Sequence, residues 1–163
     1  MAGGKVTDAE VIIPGQEPTA WKLEQWDPGK PVGLIGIDDA AWKWSGTWTD
    51  ETTDRNGKKV MARKATSSAG AEVSLTFNGV AIAIVGPMSE TGGRADVYLD
   101  GRKAGQLDAF ILERTHDNDL WHAYDLAPGT HTVRIVRRDD SDARAKGKRI
   151  VIERAITYAL ARE

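Results

Sequence analysis

Between Ala71 and Leu160 the chain is a succession of short alternating segments broken by glycine and proline-glycine turns, with no apolar stripe of helical length. Such a pattern predicts an all-β protein, an antiparallel β-sandwich. In Ala71-Glu-Val-Ser-Leu-Thr-Phe77 the residues Val73, Leu75 and Phe77 share one face and Glu72, Ser74 and Thr76 the other, the period of a half-buried strand. Asn78-Gly79 turns the chain, and Val80-Ala-Ile-Ala-Ile-Val85 is apolar throughout, as a strand covered on both faces must be. Arg94-Ala-Asp-Val-Tyr-Leu99 alternates again and ends in Asp100-Gly101, a pair that tolerates positive φ. Phe77, Ile84, Val97, Leu99, Val133 and Ile135 lie on the apolar phase of their strands and are the predicted core.

Strands are predicted over 33–37, 41–49, 60–67, 72–77, 80–85, 95–99, 104–112, 120–126, 131–138 and 149–160, the last with a bend near Arg154-Ala155. Residues 1–31 hold Pro14-Gly15, Pro18, Pro28-Gly29 and Pro31 and read as an extended leader. Val11-Ile-Ile13 could add an edge strand to it, and Trp21, Leu23 and Trp26 would hold it on the sandwich. Residues 32–163 form the sandwich module. A chain of 163 residues suits one domain, which buries about 70% of its unfolded surface.

The composition weighs against several kinds of chemistry. With no cysteine there is no disulfide, thiol nucleophile or thiolate-bound zinc. A net charge of −2, from 22 basic and 24 acidic residues, gives no field that would draw a nucleic acid. No apolar run approaches the ~18 residues of a membrane span, and Met-Ala-Gly-Gly-Lys does not read as a signal peptide. No Gly-x-Ser-x-Gly elbow is present. A glycosidase needs two carboxylates about 5–10 Å apart, a distance that 24 acids leave open.

Read in order, Asp38-Asp39, Trp44-Ser-Gly-Thr-Trp48, Ala69-Gly-Ala-Glu-Val-Ser-Leu-Thr-Phe-Asn-Gly79, Ile84-Val-Gly86, Asp96-Val-Tyr-Leu-Asp-Gly101, Leu126-Ala-Pro-Gly-Thr-His-Thr-Val133 and Ile150-Val-Ile-Glu-Arg-Ala-Ile156 resemble the galactose-binding-like jelly-roll modules. The resemblance covers about residues 32–160. It implies a non-catalytic carbohydrate-binding module, partnered with an oligo- or polysaccharide and with a catalytic domain of the same parent protein, in a secreted or periplasmic setting. The alternatives are a purely structural module packed on its catalytic neighbour and, less favoured, a small hydrolase with paired carboxylates. The resemblance requires no cofactor, but it allows a structural calcium between first and last strands, with Glu153 in the matching region and Asp38 or Asp39 as early oxygen ligands. Family members more often carry aspartate at that place, and here Arg154 adjoins it. If calcium is held there, chelation should lower the melting temperature. His131 falls just after the Pro128-Gly129 turn and is expected to hydrogen-bond into it.

A sugar site asks for a flat aromatic face with polar groups beside it. In Trp42-Lys-Trp-Ser-Gly-Thr-Trp48 three indoles share a strand face; most of that is expected to be core, with Trp42 nearest a loop. The segment Glu113-Arg-Thr-His-Asp-Asn-Asp-Leu-Trp-His122 is denser in polar groups than a connector needs. Read as a loop, it brings His116, Asp117, Asn118, Asp119 and His122 together beside Trp121 as stacking platform, or it is a solvated loop with a capped turn. In Pro87-Met-Ser-Glu-Thr-Gly-Gly-Arg94, Glu90 and Arg94 could meet hydroxyls or a carboxylate, or the loop is a glycine hinge. Asp139-Asp-Ser-Asp142 among arginines and lysines reads as a solvated hairpin tip.

Overall fold

In the computed structural model residues 8–11, 19–22, 30–55 and 58–159 are described. The expected packing of Leu23 and Trp26 falls outside them, and the side chain of Trp21 is not described. The described residues contain strands and turns and no helix. In chain order the strands are β1 (Asp8–Val11), β2 (Thr19–Lys22), β3 (Lys30–Gly36), β4 (Trp42–Ser45), β5 (Thr49–Arg55), β6 (Lys58–Thr66), β7 (Glu72–Gly79), β8 (Ala81–Met88), β9 (Arg94–Leu99), β10 (Arg102–Asp108), β11 (Thr115–Ala123), β12 (Gly129–Arg137), β13 (Ile150–Ile152) and β14 (Arg154–Ala159).

A five-stranded antiparallel sheet runs β10-β9-β12-β7-β4, and a four-stranded one runs β11-β8-β14-β3. A three-stranded sheet, β13-β6-β5, continues the second. β13 and β14 are one run of chain interrupted at Glu153, whose backbone N–H still donates to the Val85 carbonyl at 2.9 Å. The strand is interrupted one residue before Arg154, where a bend was expected near Arg154-Ala155. β1 and β2 pair with each other, and β3 starts at Lys30, so the boundary expected after residue 31 falls inside a strand.

The apolar phase goes where its periodicity sends it. Val73 and Leu75 are fully buried and Phe77 nearly so, while Thr76 between them is exposed. β8, between β11 and β14, is buried from Ala81 to Pro87. Val73, Leu75, Phe77, Val97, Leu107, Val133 and Ile135 of one sheet meet Ile82, Ile84, Leu120 and Ala155 of the other. Each large aliphatic side chain so buried contributes about 1.5–3 kcal/mol. Of the six expected core residues, Leu99 is partly buried against the cluster and the others lie within it. Gly79 ends β7 where the chain crosses between sheets, and a Cβ there would fall on the Tyr158 carbonyl.

Two segments differ from expectation. Thr49-Asp-Glu-Thr-Thr-Asp-Arg55 has no apolar phase, yet it is β5. It is an edge strand held by backbone pairing to β6 and by cross-strand charge, Asp50 opposite Lys64 and Glu51 opposite Arg63, an arrangement that hydrophobic alternation does not reveal. Residues 139–142 are not a solvated tip: Asp140 and Asp142 pair with Arg94, Arg138 and Arg144. The buried Arg137 also donates Nε and Nη2 to the Lys148 carbonyl at 3.0 and 2.9 Å.

His131 does bond into its turn. Nε2 lies 2.7 Å from the Ala127 carbonyl and Nδ1 2.7 Å from Asp100 Oδ2. Both partners accept, so only the doubly protonated ring serves both. The Asp100 hydrogen bond and then the Ala127 carbonyl raise the histidine above its usual value, and the same contact lowers Asp100. A raised folded value means stability fully present below the unfolded histidine pKa of about 6.5 and lost as pH rises through the folded one. The lowered Asp100 contributes above the usual aspartate value and is lost in acid. Thermal melts from about pH 6 to about pH 9 should therefore show a decline that His131→Ala abolishes; equal slopes for both proteins would refute the charged pair.

Candidate functional site

The segment expected as a polar loop is mostly strand. β11 pairs with β8 through two bulges, one between Thr115 and Asn118 and one between Asp119 and Trp121. The first lies opposite Pro87, which has no N–H to give, and Asp117 takes φ +56° there. The second inserts Leu120, so that Leu120 and Trp121 both pack against the core. Trp121 is half-buried, and a Cβ on Gly105 would lie 3.4 Å from its Nε1. It is thus packed inward and is not the exposed platform expected of it. Trp42 also fails as a platform: it is 4% exposed and stacks on Trp44 with centroids 5.3 Å apart.

The polar residues of β11 go to the opposite face. Asp119 is paired with Val85 and His122 with Ala83. Ala83 also faces Ile156, which faces Leu34, and Ala81 faces Tyr158. Cross-strand partners share a face, so Asp119, His122, Ile156, Leu34 and Tyr158 lie on the side of the four-stranded sheet away from Ile82 and Ile84. Asp119 Oδ2 is 2.6 Å from His122 Nδ1, which orients the imidazole. The imidazole stacks on Tyr124 at 4.6 Å between centroids, and Tyr124 meets Tyr158 edge-on at 6.4 Å. Tyr124 is 45% and Leu34 72% exposed. Partial burial, then Asp119 and Tyr158, push the Tyr124 phenol above its usual pKa, so it remains a neutral donor and acceptor near pH 7.

His116 is exposed at the first bulge, and Asp117 pairs with Arg154 at 2.8 Å. Asn118 Nδ2 donates to Thr115 Oγ1 at 2.7 Å, a bond that closes the bulge. Only Asp119 and His122 of that group therefore share the aromatic cluster. Arg94 is committed to Asp108 at 2.7 Å, with Asp140 and Asp142 beyond. Glu90 pairs with Lys146 at 2.7 Å and faces a separate cleft of about 320 Å³. That cleft opens between the loops after β8 and after β10, against β6 and β13, with Arg63, Arg114, Arg149, Val151 and Leu112 in its wall. Tyr124 and Tyr158 were not singled out from the sequence, although each follows by two residues, in the same phase, a residue of this face (His122 and Ile156), whereas nothing in the local sequence ties Arg63 to Arg114 and Arg149.

Calcium prefers six to eight oxygens, and the residues suggested for it do not fit. Glu153 is 4% exposed, with Arg63 Nη1 at 3.9 Å from one oxygen and Arg154 Nη1 at 3.9 Å from the other. Burial and the nearby Asp117 push its pKa up, while Arg63, Arg154 and His116 pull it down. Asp39 Oδ1 accepts from the Ala41 N–H at 2.8 Å within its own turn, and Asp38 is exposed. Guanidinium groups stand where cation ligands would be needed, and among the described residues no three His, Asp or Glu gather as a metal set. Chelation should accordingly leave the melting temperature unchanged; a fall on chelation, reversed by calcium, would refute this.

No family model matches the sequence. Over 136 residues the chain is 32% identical to the A type blood N-acetyl-alpha-D-galactosamine deacetylase of Flavonifractor plautii. Over 115 residues it is 38% identical to the A type blood alpha-D-galactosamine galactosaminidase of the same organism. These matches take in 83% and 69% of this chain, which spans only 16% and 10% of the length of those relatives. Its fold is similar to that of a two-domain esterase (CEX) active on acetylated mannans, with a TM-score of 0.59 at 16% identity over 80% of this chain and 37% of that one. In fold, then, the chain is an antiparallel β-sandwich similar to part of that two-domain esterase.

Proposed function

We propose that this chain is a non-catalytic carbohydrate-binding module of a larger, exported polysaccharide-processing enzyme. The observation that carries it is the exposed pair His122 and Tyr124, with the half-buried Tyr158 edge-on to it and Asp119 beside it. Aromatic faces cover the C–H face of a pyranose while a carboxylate and a phenol fork to its hydroxyls. The short spans of the relatives that the chain matches suit a module that accompanies a catalytic domain. Glycan-array binding followed by affinity electrophoresis tests the reading, with galactosamine-terminated glycans and acetylated mannan among the ligands. Tyr124→Ala is expected to weaken retention at least about tenfold, or ~1.4 kcal/mol, while stability stays within about 0.5 kcal/mol, as for other surface changes. Undiminished retention by the folded variant would overturn the site.

A second reading is favoured by Leu34, which is 72% exposed on the same sheet face. In it, the face packs against a neighbouring domain and binds no sugar. Absence of glycan binding by the isolated chain, together with protection of Leu34 and Tyr124 when the neighbouring domain is present, would select it.

A further inference from the structure

The cleft beside β6 and β13 is unlike the aromatic face in its chemistry, and we propose that it is a second site, which takes the carboxylate of a uronic acid residue. Its volume of about 320 Å³ lies at the lower end of the range for ligand sites. Glu51 lies between two of its arginines, accepting from Arg63 Nε at 3.1 Å and from Arg149 Nη2. Both guanidinium groups are thereby oriented before any ligand arrives, and each keeps further N–H groups for other acceptors. Arg63 Nη1, wholly buried, makes no hydrogen bond; its near partner is Glu153 at 3.9 Å.

The charges behind the cleft are close to balance. Glu51 serves Arg63 and Arg149, Glu153 lies between Arg63 and Arg154, and Asp117 takes Arg154 from the other side. Glu90 is offset by Lys146. Among the described residues of the wall, Arg114, exposed at the mouth, is the positive charge left over. One excess charge matches a monoanion, and a planar guanidinium pairs with a carboxylate through two parallel hydrogen bonds. The rest of the wall suits a sugar ring: Leu112 is 65% exposed and offers an apolar surface for the C–H face, and the buried Val151 also lines the cleft. Glu90 has a carboxylate oxygen for a ring hydroxyl. A bare inorganic anion would use neither.

The test uses the intact chain with trigalacturonate, its neutral counterpart galactotriose and galactose 6-sulfate, read by calorimetry and by the arginine side-chain N–H signals in NMR. Trigalacturonate is expected to bind at least about tenfold more tightly than galactotriose, to weaken as salt rises, and to shift arginine signals that Arg114→Ala and Arg149→Gln remove or alter. Arg114→Ala should reduce this affinity about tenfold and leave retention on neutral glycans at the wild-type level. Equal affinity for trigalacturonate and galactotriose, or no effect of Arg114→Ala, would overturn the site. Equal affinity for galactose 6-sulfate would make it a general anion site and overturn the uronate assignment. Loss of neutral-glycan binding alone would count against the aromatic face and leave this result standing.

Discussion

Phe77→Ala is expected to destabilise the protein by about 3–5 kcal/mol, the range for emptying a buried aromatic site. Phe77 is 5% exposed, sits in the core cluster from β7 and packs against the His131 ring with centroids 5.7 Å apart. Its removal takes away core volume and also one wall of the pocket that holds the His131 imidazole between Asp100 and Ala127. Urea unfolding should show a lower midpoint at an unchanged slope. A loss under about 0.5 kcal/mol, as for a surface change, would mean that Phe77 does not face the core.

Gly92→Ala is expected to cost at least about 3 kcal/mol, the upper end of what overpacking imposes, because the obstacle is backbone. A Cβ at Gly92 would fall on the carbonyl of Ala109 and within 2.5 Å of the Phe110 nitrogen. Neither neighbour can swing away as a side chain would. The loop is also tied down on its other side, where Gly93 N–H donates to the Arg149 carbonyl at 2.8 Å and Arg149 N–H donates to the Thr91 carbonyl at 2.7 Å. Displacing Gly92 therefore moves Arg149 and the lip of the cleft together. Thermal unfolding reads the stability; a variant as stable as the parent would show that the two loops are not in contact. The glycine pair Gly92-Gly93, readable from sequence as a hinge, serves close approach of three backbone segments.

The strand phases of β7, β8, β9 and β12 were legible because each alternates or saturates cleanly between two turns, and burial follows that alternation residue by residue. β11 was harder to read, since two inserted residues break its period and put Trp121 on the face opposite to Asp119, two residues before it. A count by twos sees neither bulge, and the first lies opposite Pro87 on the neighbouring strand. The same segment shows how composition misleads: the density of polar groups in 113–122 marked a surface correctly, but the side chains are spread over a strand edge and a bulge, and Tyr124 and Tyr158 complete the cluster.

What the chain carries in its own order is the β class, the core phase and the turn that receives His131, because these depend on neighbours within a few residues. The two surfaces depend on pairing between distant segments. Glu51 and Arg149 are 98 positions apart, and they meet because β13 lies beside β6. Leu34, Ile156 and His122 come to one face because β3, β14, β8 and β11 are hydrogen-bonded in that order. Register across a sheet is set by the whole set of strand pairings and their bulges, so the face that each aromatic or arginine presents was decided only when the sheets closed on their core.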